Sequence, residues 1–224
     1  MDMNDQSTNN KTQSLKQKRN LPALCDLCLT LPSLLIHGTD PLSRNILMNA
    51  LITAAANSSA TVVVADIDGT LRSFEKNTVG IRYHGLFPTS CTAMRTAFQL
   101  ADQRTVTMAK AGDTISKEKP YYLFISNLPM LLTGESMKST LHRTLLRARQ
   151  TNVRIIAFSD LPPHDKMIQI RSYFPEFLFI GGANKYMMSE LNRGDTRAKF
   201  DGLVCYYPSI DGYVRYELAE NPHQ

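Results

Sequence analysis

A mostly parallel α/β sheet flanked by helices and finished by a C-terminal hairpin is the fold class predicted here, and three observations predict it. Largely apolar runs of strand length recur at residues 34–37, 61–65, 121–125 and 153–158, broken internally only by Arg154 and without the polar alternation of a half-exposed strand; such runs are covered on both faces. Segments with helical spacing separate them at 46–56, 90–108 and 136–150. Strand, helix and strand in succession imply right-handed crossovers and parallel pairing. Near the C-terminus, 203–207 and 213–218 flank Ser209-Ile210-Asp211-Gly212, a hairpin turn composition.

The elements follow in order. Residues 1–20 are polar, rich in Asn, Gln, Ser, Thr and Lys, and read as a disordered tail or linker; 21–224 read as one domain. Residues 24–29, closed by Leu31-Pro32, are a short apolar run expected to be a strand beside 34–37. The next helix keeps Ile46, Leu47, Ala50, Leu51 and Ala54 on one face and stops at Asn57-Ser58-Ser59. A short strand is expected at 81–83, and Ser90 is the expected N-cap of a helix reaching about Met108. The helix at 136–150 places Leu141, Leu145 and Leu146 inward and His142, Arg143, Arg147 and Arg149 outward. Residues 168–173 and 186–191 read as short helical pieces, and 177–180 as a strand.

With 224 residues and 43% hydrophobic content the chain can bury one sizeable core. It has no apolar run of 18 residues and no secretory leader pattern, so a cytosolic chain without membrane insertion is expected. The net charge of +5 is spread along the chain and no helix-turn-helix or zinc motif accompanies it, which argues against nucleic acid. Cys25 and Cys28 are spaced C-x-x-C, but Cys91 and Cys205 stand alone; four buried free thiols are expected, with no metal site.

Two motifs carry chemistry. Residues 34–45 run from an apolar strand through Gly38 into a helix, the layout of the phosphate-binding loop G-x-x-x-x-G-K-[ST], in which backbone N–H groups cradle phosphates. Gly38 and Thr39 open the loop, but Ser43 replaces the second Gly, Arg44 the Lys, and Asn45 the Mg²⁺-binding hydroxyl. Pro41 removes one N–H, Asp40 adds a negative charge, and Asp40 or Ser43 is suited to cap the following helix. The second motif, Asp66-Ile67-Asp68-Gly69-Thr70-Leu71 after an apolar strand, matches the first motif of haloacid-dehalogenase-type phosphatases, with Asp66 as nucleophile and Asp68 as acid/base around Mg²⁺. The acids such a site needs later in the chain are missing from 180–185.

The order of signals as a whole resembles the RecA-like P-loop motor domains of the FtsK/SpoIIIE family. The matching pieces are 34–45, 62–66, the helix ending near Arg104, 121–127, 155–162, Phe174-Pro175-Glu176-Phe177, Asp201-Gly202-Leu203-Val204 and the closing hairpin. Within the family it looks most like a C-terminal ATPase module of the EssC/EccC proteins of type VII secretion. The resemblance places Ser126 and Asn127 where the Walker-B Asp and Glu belong, and Ser159 and Asp160 in the sensor turn. It implies a module whose catalytic residues are gone, so hydrolysis is not expected, no cofactor is expected, and residual ATP/Mg²⁺ binding stays open. A regulatory, docking or substrate-recognition role then follows, at the cytoplasmic face of a larger membrane translocase. Its partners would be neighbouring ATPase domains and secreted proteins. The basic residues Lys138, His142, Arg143, Arg147 and Arg149, and the cluster Arg193, Arg197 and Lys199, are candidate contacts.

Overall fold

The computed structural model describes residues 20–76, 79–160, 173–181, 203–209 and 212–219. Its strands are β1 (Ser33–His37), β2 (Thr61–Asp66), β3 (Ile81–Gly85), β4 (Tyr121–Ile125), β5 (Val153–Ser159), β6 (Phe177–Ile180), β7 (Val204–Ser209) and β8 (Gly212–Glu217). They form one sheet in the order β3-β2-β4-β5-β1-β6-β7-β8. Pairing is parallel from β3 through β6 and antiparallel in β6-β7-β8, so the parallel core and the terminal hairpin are as predicted. Residues 1–19 of the expected tail, 168–172 of the helical piece expected at 168–173, the piece at 186–191, and the Arg193, Arg197 and Lys199 cluster lie outside the described residues.

The apolar runs are explained by burial on two faces. In β2, Val62 and Val64 face one core and Val63 and Ala65 the other. Helices α1 (Leu21–Thr30) and α2 (Pro41–Asn57) cover the first face with Leu24, Cys28, Leu47, Met48 and Leu51. Helices α3 (Phe87–Ala111), α4 (Leu128–Leu131) and α5 (Glu135–Thr151) cover the second with Met94, Ala97, Leu128, Met137 and Leu141. The helices leaving β1 and β4 therefore depart to opposite faces, which opens a crevice at the carboxyl ends of the parallel strands. No helix among the described residues is long and apolar enough to cross a membrane.

Three local expectations are corrected. Residues 24–29 are helical, within α1: Asn20 caps the helix by accepting from the Ala23 N–H at 3.2 Å, Pro22 sits in the first turn, and Leu24, Cys25 and Cys28 are buried together at helical spacing. A six-residue apolar run could be either element, and its period decided it. Ser90 lies inside α3, which begins at Phe87; its hydroxyl donates to the His84 carbonyl at 3.1 Å. Leu146 points outward and is 71% exposed, while Arg143 and Arg147 lie over the Phe98 ring and Arg147 also pairs with Asp102. His142, Arg143 and Arg149 are exposed as expected, and of the basic face of α5 only Arg143 and Arg147 lean onto α3. Arg104 ties the same two helices, donating to the carbonyls of Thr151, Asn152 and Lys119 at 2.8–3.2 Å and satisfying the last turn of α5.

All four cysteines are free and buried. Burial raises the Cys25 thiol to about 11 and pushes Cys28 well above its ordinary value, which makes them core residues rather than nucleophiles.

Candidate functional site

The loop 38–45 lies at the crevice, because β1 is the strand flanked by β5 on one side and β6 on the other. His37 pairs with Ser159 and with Phe179, so the chain leaving β1 is gripped from both sides. The Gly38 N–H donates to the Ser159 carbonyl at 3.2 Å. Those of Thr39 and Asp40 both donate to the Gly181 carbonyl, at 3.2 and 3.0 Å. Pro41 has none. The Ser43 N–H and hydroxyl both donate to Asp40 Oδ2, at 2.8 and 2.5 Å, and the Leu42 N–H is also directed at that carboxylate. The Arg44 N–H returns to the Asp40 carbonyl as the first helical bond, at 3.1 Å.

Every amide that a phosphate could use between Gly38 and Arg44 therefore has a partner within the chain. Asp40 caps α2 and puts a carboxylate at the helix N-terminus, where an anion is favoured. Burial alone would raise its pKa, but the bonds from the Ser43 hydroxyl, the Ser43 N–H and the Leu42 N–H outweigh it and hold the carboxyl below its ordinary value. Gly38 is required here for packing: a Cβ would stand 2.5 Å from Ile180 Cγ1 and 2.8 Å from the Ile180 carbonyl oxygen. Gly181 answers it, since a Cβ there would come 3.1 Å from Asp40 Cβ.

The remaining site residues converge on the same crevice. Arg44 reaches Asp68 at 3.2 Å, with its guanidinium carbon 4.7 Å from the centre of the Phe158 ring; only 11% of its side chain is exposed. Asp68 also accepts from the Thr70 hydroxyl at 2.7 Å and from Ser126. Burial opposes its charge, and the bonds from Thr70 and Ser126 together with the Arg44 charge overcome that and lower its pKa. Ser126, buried, accepts from the Ile67 N–H at 2.9 Å. Asn127 caps α4, its Oδ1 accepting from the Met130 N–H at 3.1 Å, and is thereby committed to the fold. Ser159 is buried at the end of β5, its carbonyl accepting from Gly38 and meeting His37 Nδ1 at 3.1 Å; Asp160 follows it. Asn45 Oδ1 and Arg44 Nε are buried without hydrogen-bond partners.

The second motif divides between two networks. Asp66 Oδ2 accepts from the Leu71 N–H at 3.1 Å and the Tyr83 hydroxyl at 2.6 Å, and Asp66 is 1% exposed. An attacking carboxylate would need an open face, and Asp66 has none. Asp68 is held by Arg44. Among the described residues no group of three or more His, Cys, Asp and Glu is placed to hold a metal ion. Sequence reasoning missed Gly181, Phe158 and Tyr83, and gave Thr70 a place in the second motif without its bond to Asp68. Only Gly181, a glycine directly after an apolar strand, carried a local signal of close backbone approach.

No family model and no curated protein matches the chain. Solved structures do match. ATPases 2 and 3 of EccC from Thermomonospora curvata, in complex with a signal sequence peptide, superpose at TM-score 0.63 with 16% identity, over 87% of this chain and 38% of that one. ATPases 2 and 3 of EssC from Geobacillus thermodenitrificans give 0.60 and 10%, over 86% and 40%. The pCW3 conjugation coupling protein TcpA with ATPγS gives 0.60 and 12%, over 83% and 59%. The chain thus spans less than two thirds of the length of each, 38% to 59%. At such identities it is the fold that is shared: this is the P-loop ATPase architecture found in EccC and EssC, as the sequence resemblance implied.

Proposed function

We propose that this chain is a pseudo-ATPase: a P-loop ATPase-fold module of a type VII secretion translocase, of the FtsK/SpoIIIE kind, kept for docking, regulation or substrate recognition and without hydrolysis. The observation that carries the reading is the filled phosphate loop, where the Asp40 carboxylate and the Gly181 carbonyl take up amides that a nucleotide would need. The absence of the Walker-B acids supports it, since Ser126 and Asn127 have no carboxylate to hold Mg²⁺ or to polarise water. In this reading residues 21–224 form the degenerate domain and 1–20 a tail or linker. The domain works at the cytoplasmic face of the membrane, against neighbouring ATPase domains and secreted substrates. The EccC domains with a bound signal peptide make such partners chemically reasonable.

Calorimetric titration with Mg²⁺-ATP tests it, with no saturable heat expected up to about 1 mM. Micromolar binding abolished by Arg44→Ala would overturn the reading in favour of a nucleotide sensor. One observation favours that second reading: Arg44 Nε and Asn45 Oδ1 are buried and unpartnered beside the loop. A nucleotide could use both only if Asp40 first left the helix terminus. Nothing favours phosphatase chemistry, because Asp66 is closed off.

A further inference from the structure

Strand β3 forms one end of the sheet, and among the described residues no strand pairs with its outer side. Its neighbourhood differs from that of the opposite edge. There, β8 carries a mutually neutralising Arg215–Glu217 pair and is bridged by Asn20 at Glu217. The β3 edge instead borders an open groove of about 430 Å³, lined by Phe74, Ile81, Tyr83, His84, Leu86 and Thr89. That volume lies within the range of about 300–1,000 Å³ of ligand pockets. Val79, Leu86 and Phe87, which flank the strand, are 95%, 71% and 40% exposed. Leu86 is also held at φ 67° and ψ 154°, a region that side-chain-bearing residues rarely occupy, and such conformations gather at binding sites.

The charge of this edge has one dominant sign. Arg72, Lys76 and Arg82 are exposed around it, with Glu75 as the acid on the groove. Arg82 is near enough to His84, and Arg72 to Tyr83, to act on both electrostatically. A short, open edge with exposed apolar flanks and a groove alongside is the arrangement used in β-strand addition, where main-chain bonds hold a peptide and alternate side chains enter pockets. Residues 1–19 of this chain are an unsuitable occupant, because Lys11, Lys16, Lys18 and Arg19 outnumber Asp2 and Asp5 and repeat the sign of the edge.

We propose that the outer edge of β3 docks an extended, acidic segment of a partner protein, which adds to the sheet as a further strand and seats an apolar side chain in the groove. The proposal rests on the docking role above and names its surface.

Fluorescence anisotropy with the full chain tests it, using a labelled nonapeptide of alternating valine and glutamate. Two controls accompany it, one with lysine in place of glutamate and one with a central proline. The glutamate peptide should bind saturably, and the lysine and proline peptides at least about tenfold more weakly. Arg82→Glu, a change at an exposed position, should reverse the preference between glutamate and lysine, and Leu86→Asp should weaken the glutamate peptide. Amide exchange in 81–85 should slow on binding. Equal affinity for the proline peptide, no binding up to about 1 mM, or indifference to Arg82→Glu would overturn the proposal. Any of these would leave the pseudo-ATPase reading intact, because that reading is decided by the nucleotide titration.

Discussion

Asp40 combines two functions in one carboxylate. It caps α2 and occupies the anion position of the loop, so its removal should cost stability and also free the Leu42 and Ser43 amides. Asp40→Ala should lower unfolding stability by about 0.5–2 kcal/mol in urea titration. Asp68 is more demanding, because Arg44 is nearly buried and would lose its counter-charge. Asp68→Asn should cost about 3 kcal/mol, the low end for a broken buried pair, while Asp68→Asn with Arg44→Met should recover part of it. The pH dependence follows from sign. Both carboxyls are lowered in the folded state, so the stability they contribute is complete above the ordinary Asp value of about 3.9 and is lost as pH falls through their lowered values. Stability measured from pH 5 down to pH 2 should therefore decline less steeply in Asp40→Asn, Asp68→Asn than in the parent. Asp40 as a cap was legible in the sequence, since an Asp before Pro at a helix start is a local signal. Its claim on the whole loop was not, because the second acceptor, Gly181, lies over a hundred residues away.

At the scale of elements, the loop is closed by the end of β6 as much as by its own residues. Gly38→Ala would force a methyl against Ile180, and it should cost about 1–3 kcal/mol by overpacking and show slower refolding or a lower melting temperature, with no change in nucleotide titration. A glycine kept for phosphate contact would give the opposite result, a stable fold with altered binding. The longer elements were readable: β2 and β4 from continuous apolar runs, β5 from an apolar run broken only by Arg154, α2 and α5 from their spacing. Short ones were not. The run at 24–29 has too few residues for its period to show against a strand, and Leu146 is turned outward because α5 packs on α3 through Leu141 and Leu145. Arg143 and Arg147 do lie toward solvent, Arg143 exposed and Arg147 half-buried, but nothing local announces that Phe98 and Asp102 will lie beside them.

For the whole molecule, the alternation of strand and helix was enough to give the parallel core, and the Ser209 to Gly212 turn gave the hairpin, because both rest on local composition. Strand order was beyond the sequence pattern, since it depends on which buried surfaces meet. That order has a consequence for how the chain comes into being. β1 is buried along its length, yet its two partners are β5 and β6, and Ser33 pairs with Ile155, 122 positions downstream. During synthesis at about 5–20 residues per second, β1 waits on the order of 6–25 s with both hydrogen-bonding edges vacant. A chain ending at Asn152 should accordingly show no protected amides in β1 by hydrogen exchange, whereas the full chain should protect them strongly. The strand that leads into the loop at 38–45 is thus made early and secured only when β5 and β6 arrive, a natural point for a chaperone to hold the nascent protein.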